Sequence, residues 1–233
     1  LKQRNVVLQY IIFSIVSAAL ILFLAFFSST NDNILVLTDK VIIGLFFIFS
    51  CLFGFSLAIY PGWIKRRMKT KSQNNANNKQ KNFRNRLGHH PDCSKFNSHT
   101  LKTKNKVYCA GCLGLALGCI ISIILVIIYI PISFEYSSDL FQYLILFGFI
   151  IIGIVYIEIL VNNQNIFIHI LSNSLLIISF LIIIISITEL TRNISFGIIC
   201  IVLSFLWIDT RIQLSKLHHS IICKKCDNSC KMY

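Results

Sequence analysis

Residues 6–27 hold no charged side chain, and the run of twenty-two would rise about 33 Å as a helix, against a hydrocarbon core of about 30 Å. Five further apolar runs follow, at 41–60, 108–130, 140–160, 166–187 and 194–208. In lipid a spanning segment must satisfy its own backbone hydrogen bonds, so each run is read as a helix. The expected fold is all-α: a polytopic membrane protein with about six transmembrane helices. Only 13% of residues are charged and 55% are hydrophobic, where a soluble domain carries about 25% charged residues. That leaves loops and a tail, with no second soluble domain.

The charge is concentrated. Net charge is +13, and residues 61–106 hold thirteen Lys or Arg against one acid, Asp92. Beside a membrane helix such a run reads as a cytoplasmic loop facing anionic lipid headgroups. Nucleic-acid binding is the less favoured reading. Lys2 and Arg4 place the N-terminus on the cytoplasmic side as well. This basic start resembles a signal peptide, but the apolar run is too long and no cleavage site follows, so it reads as an anchor. The segments SSTNDN, ISFEYSSD and TELTRN are the expected outer loops, with Glu135 and Glu189 solvated there. Six helices then put both termini on the cytoplasmic face of a multi-pass protein of the cell membrane. The chain divides into helices 1–2 (1–63), a basic flexible linker (64–86), a Cys/His loop (87–112), helices 3–6 (108–213) and a Cys-rich tail (214–233).

Residues 89–118 read HHPDCSKFNSHTLKTKNKVYCAGCLGLALG. His90-x2-Cys93 is followed by Cys109-x2-Cys112, the paired-knuckle spacing of zinc sites with His in the first position. Zinc takes four N or S ligands in a tetrahedron, and these four residues supply three thiolates and one imidazole. Pro91 and Asp92 supply a turn between the first pair. Cys109 and Cys112 are expected on one face of the first turn of helix 3, where the positive helix end favours thiolate. His89 and His99 stand by as alternative ligands.

A second cluster, His219-x3-Cys223-x2-Cys226-x3-Cys230, lies in the tail. It forms a separate site or adds ligands to the first. Zinc is the expected metal, and an iron–sulfur cluster, or no metal, the alternative, since thiolates hold both kinds of centre. In a reducing compartment such clusters argue for metal or redox chemistry over structural disulfides. Cys51, Cys119 and Cys200 lie inside apolar runs and read as packing residues.

Two further sets stand out. Ala110, Gly114, Gly118 and Ser122 repeat every four residues, the small-residue ridge that lets membrane helices approach closely. Glu158, His169 and Asp209 fall near the inner helix ends, where ionisable groups carry a functional hypothesis. The chain contains no Walker loop, G-x-G-x-x-G, G-x-S-x-G or H-E-x-x-H, so standard nucleotide, hydrolase and zincin chemistry has no support.

The 89–118 stretch resembles the signature of the DUF2085 family of prokaryotic membrane proteins. That signature is a His/Cys segment followed by a Cys-x2-Cys that opens a Gly-rich membrane helix. Cys109, Cys112, Gly114 and Gly118 match it well, His90 and Cys93 more loosely. Members often carry Arg before the second Cys, where this chain has Gly111. The resemblance covers about thirty residues of the chain. It implies a prokaryotic membrane protein and adds no activity.

The leading expectation is a mainly structural zinc site on the cytoplasmic face, forming a platform for a protein partner or lipid headgroups. Closed four-ligand coordination leaves no open position for substrate. A thiol–disulfide oxidoreductase using Cys109 and Cys112 is the first alternative. A transporter or metal-dependent membrane hydrolase using Glu158, His169 and Asp209 is the second.

Overall fold

The structure is a computed structural model and describes residues 2–27, 35–59, 86–87, 100–103, 106–132, 138–161 and 165–224. Six helices follow in order: α1 (Lys2–Phe27), α2 (Leu37–Ile59), α3 (Ala110–Tyr129), α4 (Ser138–Leu160), α5 (Ile166–Thr191) and α6 (Ile194–Lys224). All six are long and apolar enough to cross a membrane. Large apolar side chains such as Phe13, Phe49 and Ile157 face outward. That suits lipid, since it offers helices no hydrophobic penalty for such exposure.

α5 is the hub. It is buried along most of its length, and it packs against α3, α4, α6 and α1. The main core joins Ile145, Ile152, Leu176, Phe180, Ile184 and Trp207 from α4, α5 and α6. α2 packs on the outer side of α3, and α1 packs along α6.

Helix ends depart from the sequence reading in three places. α5 continues through Thr191 rather than stopping near 187. Thr188 and Thr191 donate their hydroxyls back to the carbonyls of Ile184 and Ile187, so the polar TELT segment stays helical. The turn shrinks to two residues. Arg192 takes the left-handed conformation, φ 50°, and the Asn193 side chain accepts from the Ser195 amide, starting α6. Glu189, expected in solvent, is therefore 1% exposed; its partners Lys40 and Arg192 make that burial tolerable.

α6 in turn runs well past the expected end at 208. Its thirty-one residues rise about 46 Å, longer than the hydrocarbon core. The expected end falls just before Asp209, Thr210 and Arg211, and two of these three face α1. Asp209 acts electrostatically on Tyr10, and Thr210 bonds Ser14 at 2.7 Å. Leu214 then joins a small second core with Val7 and Ile159.

The third departure lies ahead of α3. The helix begins at Ala110, and Tyr108 and Cys109 belong to a strand. A three-stranded sheet, β1 (Arg86–Leu87), β2 (Thr100–Thr103) and β3 (Lys106–Cys109), has the order β1-β3-β2. β2 and β3 are antiparallel, from Thr100 opposite Cys109 to Thr103 opposite Lys106, while β1 runs parallel to β3. Thr100, Thr103, Val107 and Tyr108 are strand formers inside a run that otherwise reads as a basic loop.

Candidate functional site at the mouth of α3

β3 delivers Cys109 directly to the start of α3. Cys109 is the N-cap, with extended backbone (φ −79°, ψ 125°), and no side chain caps the helix. Its thiol is 6% exposed, and Cys112, one turn on, is half-buried. The two thiols lie within interaction range of each other, and neither is in a disulfide. Uncapped first-turn amides and the helix dipole make this end of α3 electropositive.

Close packing against α5 holds that end in place. Ala110, Gly114, Gly118 and Ser122 are all buried. A Cβ on Gly114 would run into the carbonyl oxygen of Ile170 and come within 2.8 Å of Asn173 Cβ, and one on Gly118 would lie 2.8 Å from the carbonyl of Ser174. Ser174 donates to the Gly114 carbonyl at 2.8 Å. The ridge thus carries the two Cys against α5 with little room to shift.

Arg211 arrives from α6. Its Nη2 lies 3.5 Å from where a Cβ on Gly111 would sit, with Asn173 Nδ2 at 3.6 Å and Cys109 Sγ at 3.8 Å. The guanidinium acts electrostatically on Cys109, Cys112 and Glu158. Its Nε is shut off from solvent and has no hydrogen-bond partner among the described residues, and the same holds for Asn173 Oδ1. Asn173 donates through Nδ2 to the His169 carbonyl. Nothing in the local sequence of Arg211 shows where its guanidinium points.

Behind it sit Glu158 and His169. His169 Nδ1 is 2.6 Å from Glu158 Oε1, and Ser172 donates to Oε2 at 3.2 Å. His218, on the α6 extension, lies within electrostatic reach of His169. Asp209 lies within electrostatic reach of Tyr10 on α1, so of Glu158, His169 and Asp209 the first two meet directly. His219 is half-buried on α6. Cys223 lies in the last turn of that helix.

His89, His90, Cys93, His99, Cys226 and Cys230 lie outside the described residues. Among the described residues no three His, Cys, Asp or Glu side chains gather as a metal site. Cys109 and Cys112 therefore stand as two neighbouring thiols beside one guanidinium.

Six candidate spans around a polar end define the class: an integral multi-pass membrane protein. No protein-family model, curated protein or solved structure matches this chain.

Proposed function

We propose that the protein uses this end of the bundle as a thiolate metal centre, a mainly structural zinc site ligated by His90, Cys93, Cys109 and Cys112. The observation that carries the reading is the contact of the Cys109 and Cys112 thiols beside Arg211. Zinc with three thiolates and one neutral imidazole carries a net charge of −1. A guanidinium next to the thiolates cancels that charge, whereas beside two neutral thiols it lacks an adjacent anion except Glu158, which His169 already engages. The guanidinium of Arg211 lies beside Gly111, between the two Cys in sequence.

On this reading the metal pins the 87–112 segment to the head of α3. The bound segment, with its basic neighbours, then forms a cytoplasmic platform for a protein partner or anionic lipid headgroups. The purified full chain should contain one zinc per molecule and no iron by plasma mass spectrometry. Cys109→Ser should be metal-depleted yet membrane-inserted. Substoichiometric zinc in the parent would sink the assignment, and iron with a visible absorbance band would replace zinc by an iron–sulfur cluster.

The thiol contact favours one second reading, dithiol–disulfide exchange at Cys109 and Cys112. Rapid and reversible formation of that disulfide in metal-replete protein would select it over the zinc site.

A further inference from the structure

A second thiol pair lies deep in the helices. Cys51 on α2 and Cys119 on α3 are 5% and 3% exposed, both belong to the main core, and their thiols lie within interaction range of each other across the seam between the two helices. Cys200 shows the contrast: it is buried among apolar groups, with no thiol beside it among the described residues. From the ends of α2 and α3 that share a face with Cys109, the pair lies about 13 Å along each helix. That is near the middle of a core of about 30 Å.

On the α2 side Cys119 meets a glycine rather than a side chain. Gly54, one turn along α2, contributes no side chain, and a Cβ there would lie 3.8 Å from Cys119 Sγ. Its neighbours Leu52 and Phe53 are exposed on the outer surface of the bundle. The pair is also separate from the thiols at the mouth of α3. Cys119 follows Cys112 by seven residues, about 10.5 Å along the helix, too far for exchange between the two pairs.

We propose that Cys51 and Cys119 are a redox-modifiable site within the bilayer, oxidised to a disulfide by a lipid-soluble quinone. Two S–H bonds break and one S–S bond forms. The two electrons and two protons pass to the quinone, which leaves as the hydroquinone. A quinone suits this depth because it removes protons with the electrons, and the hydrocarbon core holds no water to accept them. Water-soluble disulfides and thiol proteins do not reach this depth. The sulfurs must close to about 2.05 Å, and Gly54, beside Cys119 Sγ, puts no side chain in the way on α2. The bond would staple α2 to α3 and fix the two helices that flank the basic 61–106 segment.

The arrangement of cysteines makes the test direct. Cys51 is the only cysteine before Cys93. A protease site is inserted within residues 70–80 of the full chain. Membranes holding the protein are treated with decylubiquinone or with ferricyanide, alkylated, then cleaved. After quinone the α1–α2 fragment should stay joined to the remainder on a non-reducing gel and separate on reduction. The joined species should exceed that in ferricyanide, or in Cys119→Ser, by at least tenfold, and Cys200→Ser should match the parent. Mass spectrometry of the joined species should find the Cys51–Cys119 peptide pair, so the assignment does not depend on how any variant folds. No joined species after quinone, equal joining in Cys119→Ser, joining by ferricyanide alone, or a different peptide pair would each overturn the proposal.

Discussion

Lys40 Nζ sits 2.7 Å from Glu189 Oε1, with both side chains shut away from solvent. Tyr129 donates to the same oxygen at 2.8 Å, and Arg192 pairs with the other. Lys40 also donates to the Ile132 carbonyl at 3.0 Å and lies over the Tyr129 ring. One carboxylate thus ties α2, α3, α5 and the α5–α6 turn together, at the end of the bundle opposite Cys109. Two cations share it, so the cluster depends on Glu189 more than on either partner.

Glu189→Gln should therefore be severely destabilising. It removes the carboxylate that Lys40 and Arg192 share, and breaking a buried pair in this way costs about 3–5 kcal/mol. Lys40→Met should cost less, because Arg192 and Tyr129 still hold Glu189. Adding Lys40→Met to Glu189→Gln should recover part of the loss. Thermal unfolding of the four proteins in detergent tests this order; equal loss in the two single variants would show that the carboxylate is not the hub.

Close approach of α3 and α5 gives a second expectation. Gly114→Ala and Gly118→Ala place a methyl group against α5 backbone, and such overpacking costs typically about 1–3 kcal/mol. Gly153→Ala on α4 meets nothing within 4 Å. It should be neutral or gain about 0.5–1 kcal/mol, the ordinary helix preference of Ala over Gly. The comparison isolates the seam from the general effect of removing a glycine. Similar melting shifts at all three positions would mean that α3 and α5 are not in close contact.

How much of this was legible follows from where each signal resides. The six helices announce themselves locally, because lipid demands about twenty apolar residues in a row. The small-residue ridge is local too, and its spacing shows at once. Glu189 misleads because its partner Lys40 is remote in sequence and nothing around TELTRN reveals it. The strands β2 and β3 were hidden in a basic run, although Thr100, Thr103, Val107 and Tyr108 carried a weak strand signal. Arg211 is the instructive case: its neighbours mark a helix end, while its role is set by a glycine on another helix. His90 and Cys93, on which the full ligand set depends, lie outside the described residues.

Hydrogen bonds that join α1, α4 and α6 mid-bundle support a third expectation. Trp207 Nε1 donates to Ser17 Oγ at 2.9 Å, and Tyr156 donates to the Trp207 carbonyl at 2.8 Å. Ser17→Ala should cost about 0.6 kcal/mol, the average for a side-chain hydrogen bond inside a membrane protein. Trp207→Ala should cost about 3–5 kcal/mol, because it also empties a core site where the indole is 2% exposed. Unfolding in detergent measures both; a Ser17 effect as large as that of Trp207 would mean that the hydrogen bond outweighs the packing.

Arg211 provides the sharpest test of the metal centre, because its effect should change sign with zinc. Without metal, the guanidinium is a half-buried cation beside two thiols, and the one carboxylate within its reach, Glu158, is already engaged by His169. Arg211 Nε has no partner among the described residues, and burying a charged group in this state is unfavourable. Arg211→Leu should then leave the metal-free protein as stable as the parent or more so. With zinc bound, the three thiolates make the centre anionic, and the guanidinium opposes that charge. A unit pair at about 4 Å is worth roughly 4 kcal/mol at an effective dielectric of 20, and partial exposure reduces this to an order of 1–2 kcal/mol. Arg211→Leu should weaken zinc binding by roughly 10- to 30-fold, at about 1.4 kcal/mol per factor of ten. Arg211→Lys keeps the charge without the planar fork, so it should fall between the two. Chelator competition on the purified full chain reads the affinity, and melting with and without zinc reads the sign change. Unchanged zinc affinity in Arg211→Leu would show that the guanidinium does not balance a thiolate centre, and the charge argument for zinc at Cys109 and Cys112 would fall with it.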